Sequence, residues 1–389
     1  MRIAIEQREL SHHIQHLVGI VSSKTTSPIL TNYLIEADAN KGEVKITASD
    51  LEITVDVRFS AAVSEGGTIA VSARHFNEIV SQMPPAVIDI WKTEDLLMIQ
   101  CSKIDFKILC ADHSLFPILP EPQMETATRV NPETFNRMIG KTAFAVSTDP
   151  NRAVITGVCW KIMEKTNLMA ATDGRKVAEI VVPNTAPAEG EEGKSTEPSI
   201  FSDPADEQIM ERVIPVKTLN FLQKVYDPSI KELKVLMERS KIVLSYGSFT
   251  IISNIIDQKY PEYQKAFMAD LPNQVIVSRK RLLESIRRVA LVAPEDNNRI
   301  RFEISAENFE INTSNRDTGD AKEFVEEYQY TGAETAVSFN YRFMVSILDV
   351  IDTEKVCIKL GSPKEPLMIY NEPQPENQKI TFLLMPLRS

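Results

Sequence analysis

The stretch "NLMAATDGRKVAEIV", Asn167 to Val181, interrupts β-type sequence with an Asp-Gly corner followed by two cations. Small and apolar residues flank Thr172-Asp173-Gly174 on both sides, which reads as strand, turn, strand. An Asp suits such a corner because its carboxylate accepts hydrogen bonds from backbone N–H groups just ahead of it. Taken alone, the segment also reads as a phosphate-binding turn, or as a catalytic acid, Asp173, beside Arg175. Recurrence separates these readings. "KITASDLEITV" holds Ser49-Asp50 and "FEINTSNRDTGDAKEFV" holds Ser314-Asn315, each between two strand-like runs. A corner that returns twice at equivalent places is a turn, so Asp173 is read as structural.

Outward from the corners, the rest of the chain repeats as well. "IAIEQRELSHHIQHLVGIVS", "RVNPETFNRMIGKTAFAVS" and "VIVSRKRLLESIRRVALVA" each predict a short strand, a cap and about four turns of amphipathic helix. The inward faces are Leu10, Ile14, Leu17, Val18 and Val21 in the first and Phe135, Met138, Ile139, Thr142 and Val146 in the second. In the third they are Leu282, Ile286, Val289 and Ala293. Asn131 and Ser278 are the expected N-caps, with Pro132 at a first helical position. Second helices follow in "VSARHFNEIVSQMP", "IPVKTLNFLQKVYD" and "VSFNYRFMVSILDVID", then further strands. The period, near 130 residues, is too long for a solenoid. It predicts three α+β domains at residues 1–128, 129–270 and 271–389. Residues 183–208, rich in Pro, Gly, Glu and Ser, break the pattern and read as an acidic surface loop in the middle domain.

Composition bounds what such a chain can be. With 389 residues, 43% hydrophobic and 25% charged, each domain can bury a core. No apolar run is long enough to span a membrane and no signal region opens the chain, so the expected location is the cytoplasm. Four scattered cysteines (Cys101, Cys110, Cys159, Cys357) fit buried thiols rather than a zinc ribbon or disulfide framework. His12 and His16, at i and i+4, lack a third ligand and are read as surface residues, so no metal or cofactor is expected. "GEEGKS", Gly190 to Ser195, is preceded by Ala188 where a phosphate-binding loop needs Gly, and no GxSxG or HExxH occurs, so no enzyme emerges.

The net charge of -11 argues against nucleic acid unless the cations are segregated. Helical geometry does segregate them. Opposite the apolar faces fall Arg8, His12 and His16 in the first helix, Arg137 and Lys141 in the second, and Lys280, Arg281, Arg287 and Arg288 in the third. The second helices add Arg74, Lys217, Lys224 and Arg342. A basic surface without stacking aromatics suits sequence-independent contact with duplex phosphates. Leu291 and Val292 point away from the core, and Phe106 and Ile108 lie on an alternating, edge-like strand; these four are candidate subunit contacts.

"SKTTSPILTNYLIEA", "ITASDLEITV", "VSTDPNRAVITGV", "MAATDGRKVAE", "YPEY" and the terminal "MPLR" together resemble the bacterial β sliding clamp family, the β subunits of DNA polymerase III. The resemblance covers all of the chain except the insertion. It implies three clamp domains per chain, each with two helices lining a hole and antiparallel sheets outside, and a head-to-tail homodimer closed around duplex DNA. It implies a processivity factor without a catalytic site, which tethers the replicative polymerase. Its partners would be DNA polymerase III subunits, the clamp loader, other DNA polymerases and repair proteins. They would dock short apolar peptides in a groove between the second and third domains.

Carried over, that groove uses Ile155, Thr172, Gly174, Arg175, Val177, Pro261, Met385, Pro386, Leu387 and Arg388. Apolar walls would bury Leu and Phe of the peptide, and Thr172 and Arg388 would offer polar contacts. Arg175 stands where the family often has His, and Lys265 and Ala266 where bulkier residues or Arg occur. The implied DNA contacts include Lys24 and Arg152, beside Arg74, Arg137, Lys141, Lys217, Arg281 and Arg288 from the helix faces. Phe106, Ile108, Leu291 and Val292 match the family's dimer contact. The rival readings are a nucleotide-hydrolysing enzyme using "GEEGKS", and a protein-interaction scaffold that never meets DNA.

Overall fold

A computed structural model of the chain describes residues 1–21, 25, 27–117, 120–163, 165–184 and 210–387. Lys24, Arg388 and the "GEEGKS" segment lie outside the described residues. The chain separates into two compact units, Met1–Phe135 with Lys217–Ile255, and Asn136–Val216 with Ile256–Ser389. Six α-helices occur among the described residues: α1 (Gln7–Ile14), α2 (Ala73–Gln82), α3 (Pro132–Thr142), α4 (Val216–Lys224), α5 (Arg279–Val289) and α6 (Tyr341–Val350). All strand pairing among the described residues is antiparallel.

In the first unit thirteen strands form one sheet. Distant parts of the sequence join in it, because Phe249–Asn254 pairs with Ile53–Ser60, placing Phe249 opposite Val57 and Ser253 opposite Ile53. In the second unit a nine-stranded sheet carries Thr166–Thr172, Lys176–Pro183 and Lys379–Leu384 side by side, and a four-stranded sheet runs from Gly319–Phe324 to Thr335–Asn340. Strands buried on both faces read as nearly continuous apolar runs, which is why "KVAEIVVP" and "KITFLL" do not alternate.

The capping residues act as their types dictate. The Asn131 side chain accepts from Thr134 N–H at 2.9 Å and Asn340 from Arg342 N–H at 2.9 Å. Ser72 and Ser278 accept at longer range, 3.4 and 3.5 Å. Each such cap contributes about 1 kcal/mol. The Asx corners are likewise formed by their own side chains. Asp50 Oδ1 accepts from Glu52 and Ile53 N–H, Asp173 Oδ1 from Arg175 and Lys176 N–H, and Asn315 Oδ1 from Asp317 N–H, at 2.8–3.0 Å.

The helices are shorter than the four turns expected. α1, α3 and α5 each give way to a 3₁₀ turn: Leu17–Gly19 shortly after α1, and Ala143–Ala145 and Ala290–Val292 directly after α3 and α5. A 3₁₀ turn advances about three residues per turn, so apolar positions beyond it rotate off the helical face. Val18, expected inside, is accordingly 47% exposed. In α3 the Thr142 hydroxyl bonds back to Met138 carbonyl at 2.8 Å, a local competitor that favours ending the helix there. Cys110 is only half-buried, whereas the other three thiols are buried.

Candidate functional site

The corner at Thr172–Lys176 opens onto a cavity of about 210 Å³ in the second unit. Three neighbouring segments build its walls. The 3₁₀ segment Pro150–Thr156 supplies Arg152 and Ile155, the stretch Pro261–Ala266 supplies Pro261, Glu262, Tyr263 and Ala266, and the C-terminal strand with its extension supplies Leu383 and Met385. Strand register explains the apolar wall: Val177 lies directly opposite Leu383, so the two side chains share a face. Below them Ile155, Cys159, Ala170, Val213, Tyr260 and Tyr263 form one buried cluster. The floor is therefore rigid and apolar, and the space suits one or two side chains of a larger ligand rather than a whole small molecule, which needs roughly 300–1,000 Å³.

Hydrogen bonds fix each wall. The Thr172 hydroxyl donates to Lys176 carbonyl at 2.7 Å and accepts from Gly174 N–H at 3.0 Å. Thr172 is buried and its donor is committed to the turn, so it does not serve as the free polar contact expected of it. Gly174 has φ +86, and a Cβ there would lie 2.8 Å from Arg152 Nη2. That guanidinium donates to Asp173 carbonyl at 2.9 Å. Two tyrosines clamp the Pro261–Ala266 wall: Tyr260 Oη accepts from Thr172 N–H at 3.1 Å, and Tyr263 Oη donates to Glu179 Oε2 at 2.7 Å. Burial raises the Glu179 carboxyl, with the Tyr263 hydrogen bond and nearby Lys379 and Lys161 opposing it. The Tyr263 phenol is raised by burial and by Glu179 beside it, and burial pushes the Cys159 thiol up to about 12. Met385 N–H donates to Arg175 carbonyl at 2.8 Å, fastening the chain's end to the corner.

Of the residues expected in a groove, Ile155, Thr172, Gly174, Arg175, Val177, Pro261 and Met385 line this one cavity. Pro386 and Leu387 do not line it; Leu387 N–H turns to Ser338 carbonyl at 2.7 Å. Ala266, expected there as a departure from the family, lines the cavity too, whereas sequence reasoning misses Lys176, Glu262, Tyr263 and Leu383 as wall residues and assigns Arg152 to DNA. Pairing of the terminal strand with Lys176–Pro183 is what brings Leu383 in, and no local signal encodes that pairing.

Three family models match the chain in succession: the N-terminal domain of the DNA polymerase III beta subunit over residues 1–120, its central domain over 129–192 and its C-terminal domain over 265–388. The chain belongs to this family, the β sliding clamps. It is 26% identical over 401 residues to the beta sliding clamp of Bacillus subtilis (strain 168), covering all of both chains. To that of Synechococcus elongatus it is 27% identical over 395 residues, covering 100% of this chain and 99% of the relative. The crystal structure of the DNA polymerase sliding clamp from Bacillus subtilis matches with a TM-score of 0.88 at 26% identity, over 100% of this chain and 99% of that one. The DNA polymerase III subunit beta from Pseudomonas aeruginosa matches in fold with a TM-score of 0.88 at 23% identity, over all of both chains. The fold is that of three β-clamp domains, mixing helices with antiparallel sheets.

In this clamp several cations of the helix faces are already paired. Arg74 meets Glu78 at 2.8 Å, Arg137 meets Asp352 at 2.8 Å, Arg281 meets Glu327 at 2.9 Å and Arg288 meets Glu323 at 2.6 Å. Lys217 is held by Asp50. Lys141 departs from expectation: it is 6% exposed, bound to Val350 carbonyl and to Asp352 at 2.6 Å, so it does not belong to an outer face. His12 is exposed as expected, but His16, just beyond α1, is half-buried and packs edge-on to Phe249, while His13 stacks on Phe59. Burial, with His12 adding repulsion, pulls His13 down to about 4. Among the described residues no cluster of His, Cys, Asp and Glu could hold a metal, and no helix is long and apolar enough to cross a membrane.

Of the candidate subunit contacts, Leu291 and Phe106 are exposed, whereas Ile108 and Val292 are half-buried. Leu291 is 84% exposed, and Phe106 39%. The strand Ile104–Ala111 does not alternate as expected but exposes residues of both faces, including Ile104 and Leu109. Among the described residues only Cys110 and Ala111 of this strand pair with Gly67–Ser72, and the remainder of that edge has no strand partner on that side.

Proposed function

We propose that this sliding clamp closes head-to-tail with a second copy around duplex DNA and tethers DNA polymerase III by short apolar peptides seated in the Thr172–Lys176 cavity. The observation that carries the docking assignment is the cavity itself, where an apolar floor and fixed walls converge from three segments. A tethered polymerase stays at high effective concentration on its template, which is how a protein with no catalytic site of its own confers processivity. Other polymerase III subunits, the clamp loader, further DNA polymerases and repair proteins would share the cavity. Residues 1–128, 129–270 and 271–389 are the three repeating domains in this proposal, and the place of action is the cytoplasm with its DNA.

The paired cations support weak, sequence-independent contact with the duplex. Exposed ion pairs such as Arg74–Glu78 are worth about 0–1 kcal/mol, so a passing phosphate can exchange with the carboxylate at little cost. The DNA set is accordingly Arg74, Arg137, Lys217, Arg281 and Arg288, with Lys24. Phe106, Ile108, Leu291 and Val292 form the contact between copies, where open strand edge and exposed apolar side chains would otherwise invite aggregation.

Retention on circular DNA tests the proposal. Protein loaded on a nicked circle should remain bound through a high-salt wash and leave on linearisation; retention on the linear form would contradict encirclement. Leu291→Lys should give monomers by light scattering, and persistent dimers would move the interface elsewhere.

A further inference from the structure

The rim of the cavity has the opposite sign from the chain as a whole. The protein holds 54 acidic against 43 basic residues. At the cavity mouth, however, Arg152 and Arg175 are both exposed, and Arg175 makes no ion pair among the described residues. Glu262 is the one exposed carboxylate lining the cavity among the described residues, and it is bracketed by Lys265 at 2.7 Å and Lys259 at 3.3 Å. Those two lysines are 79% and 83% exposed, so their ammonium groups remain open to a ligand. The nearby Asp173 is neutralised by Lys176, whose ammonium sits 2.6 Å away and which is itself nearly buried. Glu179 lies beneath the floor, covered and bonded to Tyr263. Arg152, Arg175 and the Lys259–Glu262–Lys265 triplet thus each contribute one net positive charge around an apolar cup.

We infer that the peptides this cavity selects carry Asp or Glu beside their apolar residues, with Arg175 and the two lysines as the residues that read those carboxylates. The inference rests on the docking assignment made above and adds to it the chemistry of the partner. Its basis is charge complementarity. The cup of Ile155, Val177, Leu383 and Ala266 cannot discriminate among apolar side chains beyond size, because each methylene is worth little. Like charge at the rim does discriminate, because a basic flank would be repelled and an acidic one drawn in. A guanidinium such as Arg175 also binds a carboxylate in a two-pronged geometry that a smaller, neutral side chain cannot offer. Since the rim is exposed, the preference should be strongest at low ionic strength and fade as screening shortens the reach of the charges.

The test uses three fluorescein-labelled nonapeptides with the same central Ser-Leu-Phe, flanked on both sides by three Asp, three Asn or three Lys. Fluorescence polarisation with the full chain at about 50 mM salt should place the Asp peptide roughly tenfold tighter than the Asn peptide, with the Lys peptide weakest. At about 300 mM salt the Asp advantage should shrink to about threefold. Arg175→Gln should remove about half of the logarithmic difference between the Asp and Asn peptides, and Lys259→Gln with Lys265→Gln should remove most of the rest. Equal binding of the Asp and Asn peptides, with both lost in Val177→Asp, overturns the charge inference while the docking assignment stands. Binding that ignores Val177→Asp, or no binding by any peptide, overturns the docking assignment and the inference with it.

Discussion

Two corners of this clamp are built on one plan and differ in what surrounds them. At Ser49–Ile53 and at Thr172–Lys176 an Asp caps its own turn through Oδ1 and meets a lysine through Oδ2, Lys217 in the first case and Lys176 in the second. In both, the residue after the Asp has positive φ, +76 at Leu51 and +86 at Gly174. Leu51 carries a side chain that is 59% exposed, against open solvent. Gly174 has none, and the space a Cβ would take is filled by Arg152. Beside the second corner the C-terminal strand runs on to Met385, which bonds Arg175. The same local chemistry is a bare turn in one place and a cavity wall in the other, so the function resides in the neighbours rather than in the motif.

The sharpest way to break this comparison is to exchange the residues at positive φ. Gly174→Val should lower the affinity for a Leu-Phe peptide at least thirtyfold, because the branched side chain is strained at that φ and displaces Arg152. Leu51→Gly should leave peptide affinity untouched and raise stability by about 0.5 kcal/mol, the relief of left-handed strain less the entropy cost of glycine. Polarisation and denaturant titration read the two outcomes, and equal effects on binding would dissolve the distinction.

Next come the lysines. Lys176 and Asp173 have side chains 8% and 15% exposed, so Lys176→Met should cost about 3 kcal/mol by stranding a buried carboxylate. Lys217 is 39% exposed although its partner Asp50 is only 11% exposed, so water reaches that pair from the lysine side and Lys217→Met should cost about 1–2 kcal/mol. Denaturant titration of each variant checks the ranking, and a reversed order would show that burial of the carboxylate outweighs burial of the lysine.

The smaller effects are those of pH, with opposite signs in the two units. His13 falls from the ordinary 6.5 to about 4, so it binds protons more readily when unfolded. Its contribution is present above about pH 6.5 and is lost as pH falls towards 4, and with its partial exposure it amounts to about 1–2 kcal/mol. His13→Phe should flatten that part of the acid melting curve; an unchanged curve would show that His13 titrates normally. Glu179 is raised instead, so its stabilising state is the protonated one at low pH and is lost as pH rises through the folded value. Glu179→Gln should therefore gain on the parent protein as pH rises above about 4.5, measured as the difference in melting temperature. A gap that narrows with rising pH would reverse the assignment.

Local chemistry was legible in the sequence wherever it is encoded by adjacent residues. The caps at Asn131 and Ser278 and the corners at Asp50, Asp173 and Asn315 follow from side chains reaching their own backbone. The family motifs drew seven wall residues to one place. What escaped depends on pairing over long separations: Leu383 enters only because the last strand lies against Val177, and Lys141 is buried because Val350 and Asp352 close over it. Helical periodicity also overran its range, since the 3₁₀ turn after α1 carried Val18 outward. Arg152 shows a further limit, because a cation in a loop reads the same whether it faces a phosphate or a glycine.

The claim that the corner and the chain's own end form one docking cavity is tested most directly by removing Met385 to Ser389 and measuring polarisation of a labelled Leu-Phe peptide, with light scattering alongside. The account predicts at least a twentyfold loss of affinity with the oligomer unchanged. Undiminished affinity in the truncated chain would contradict it.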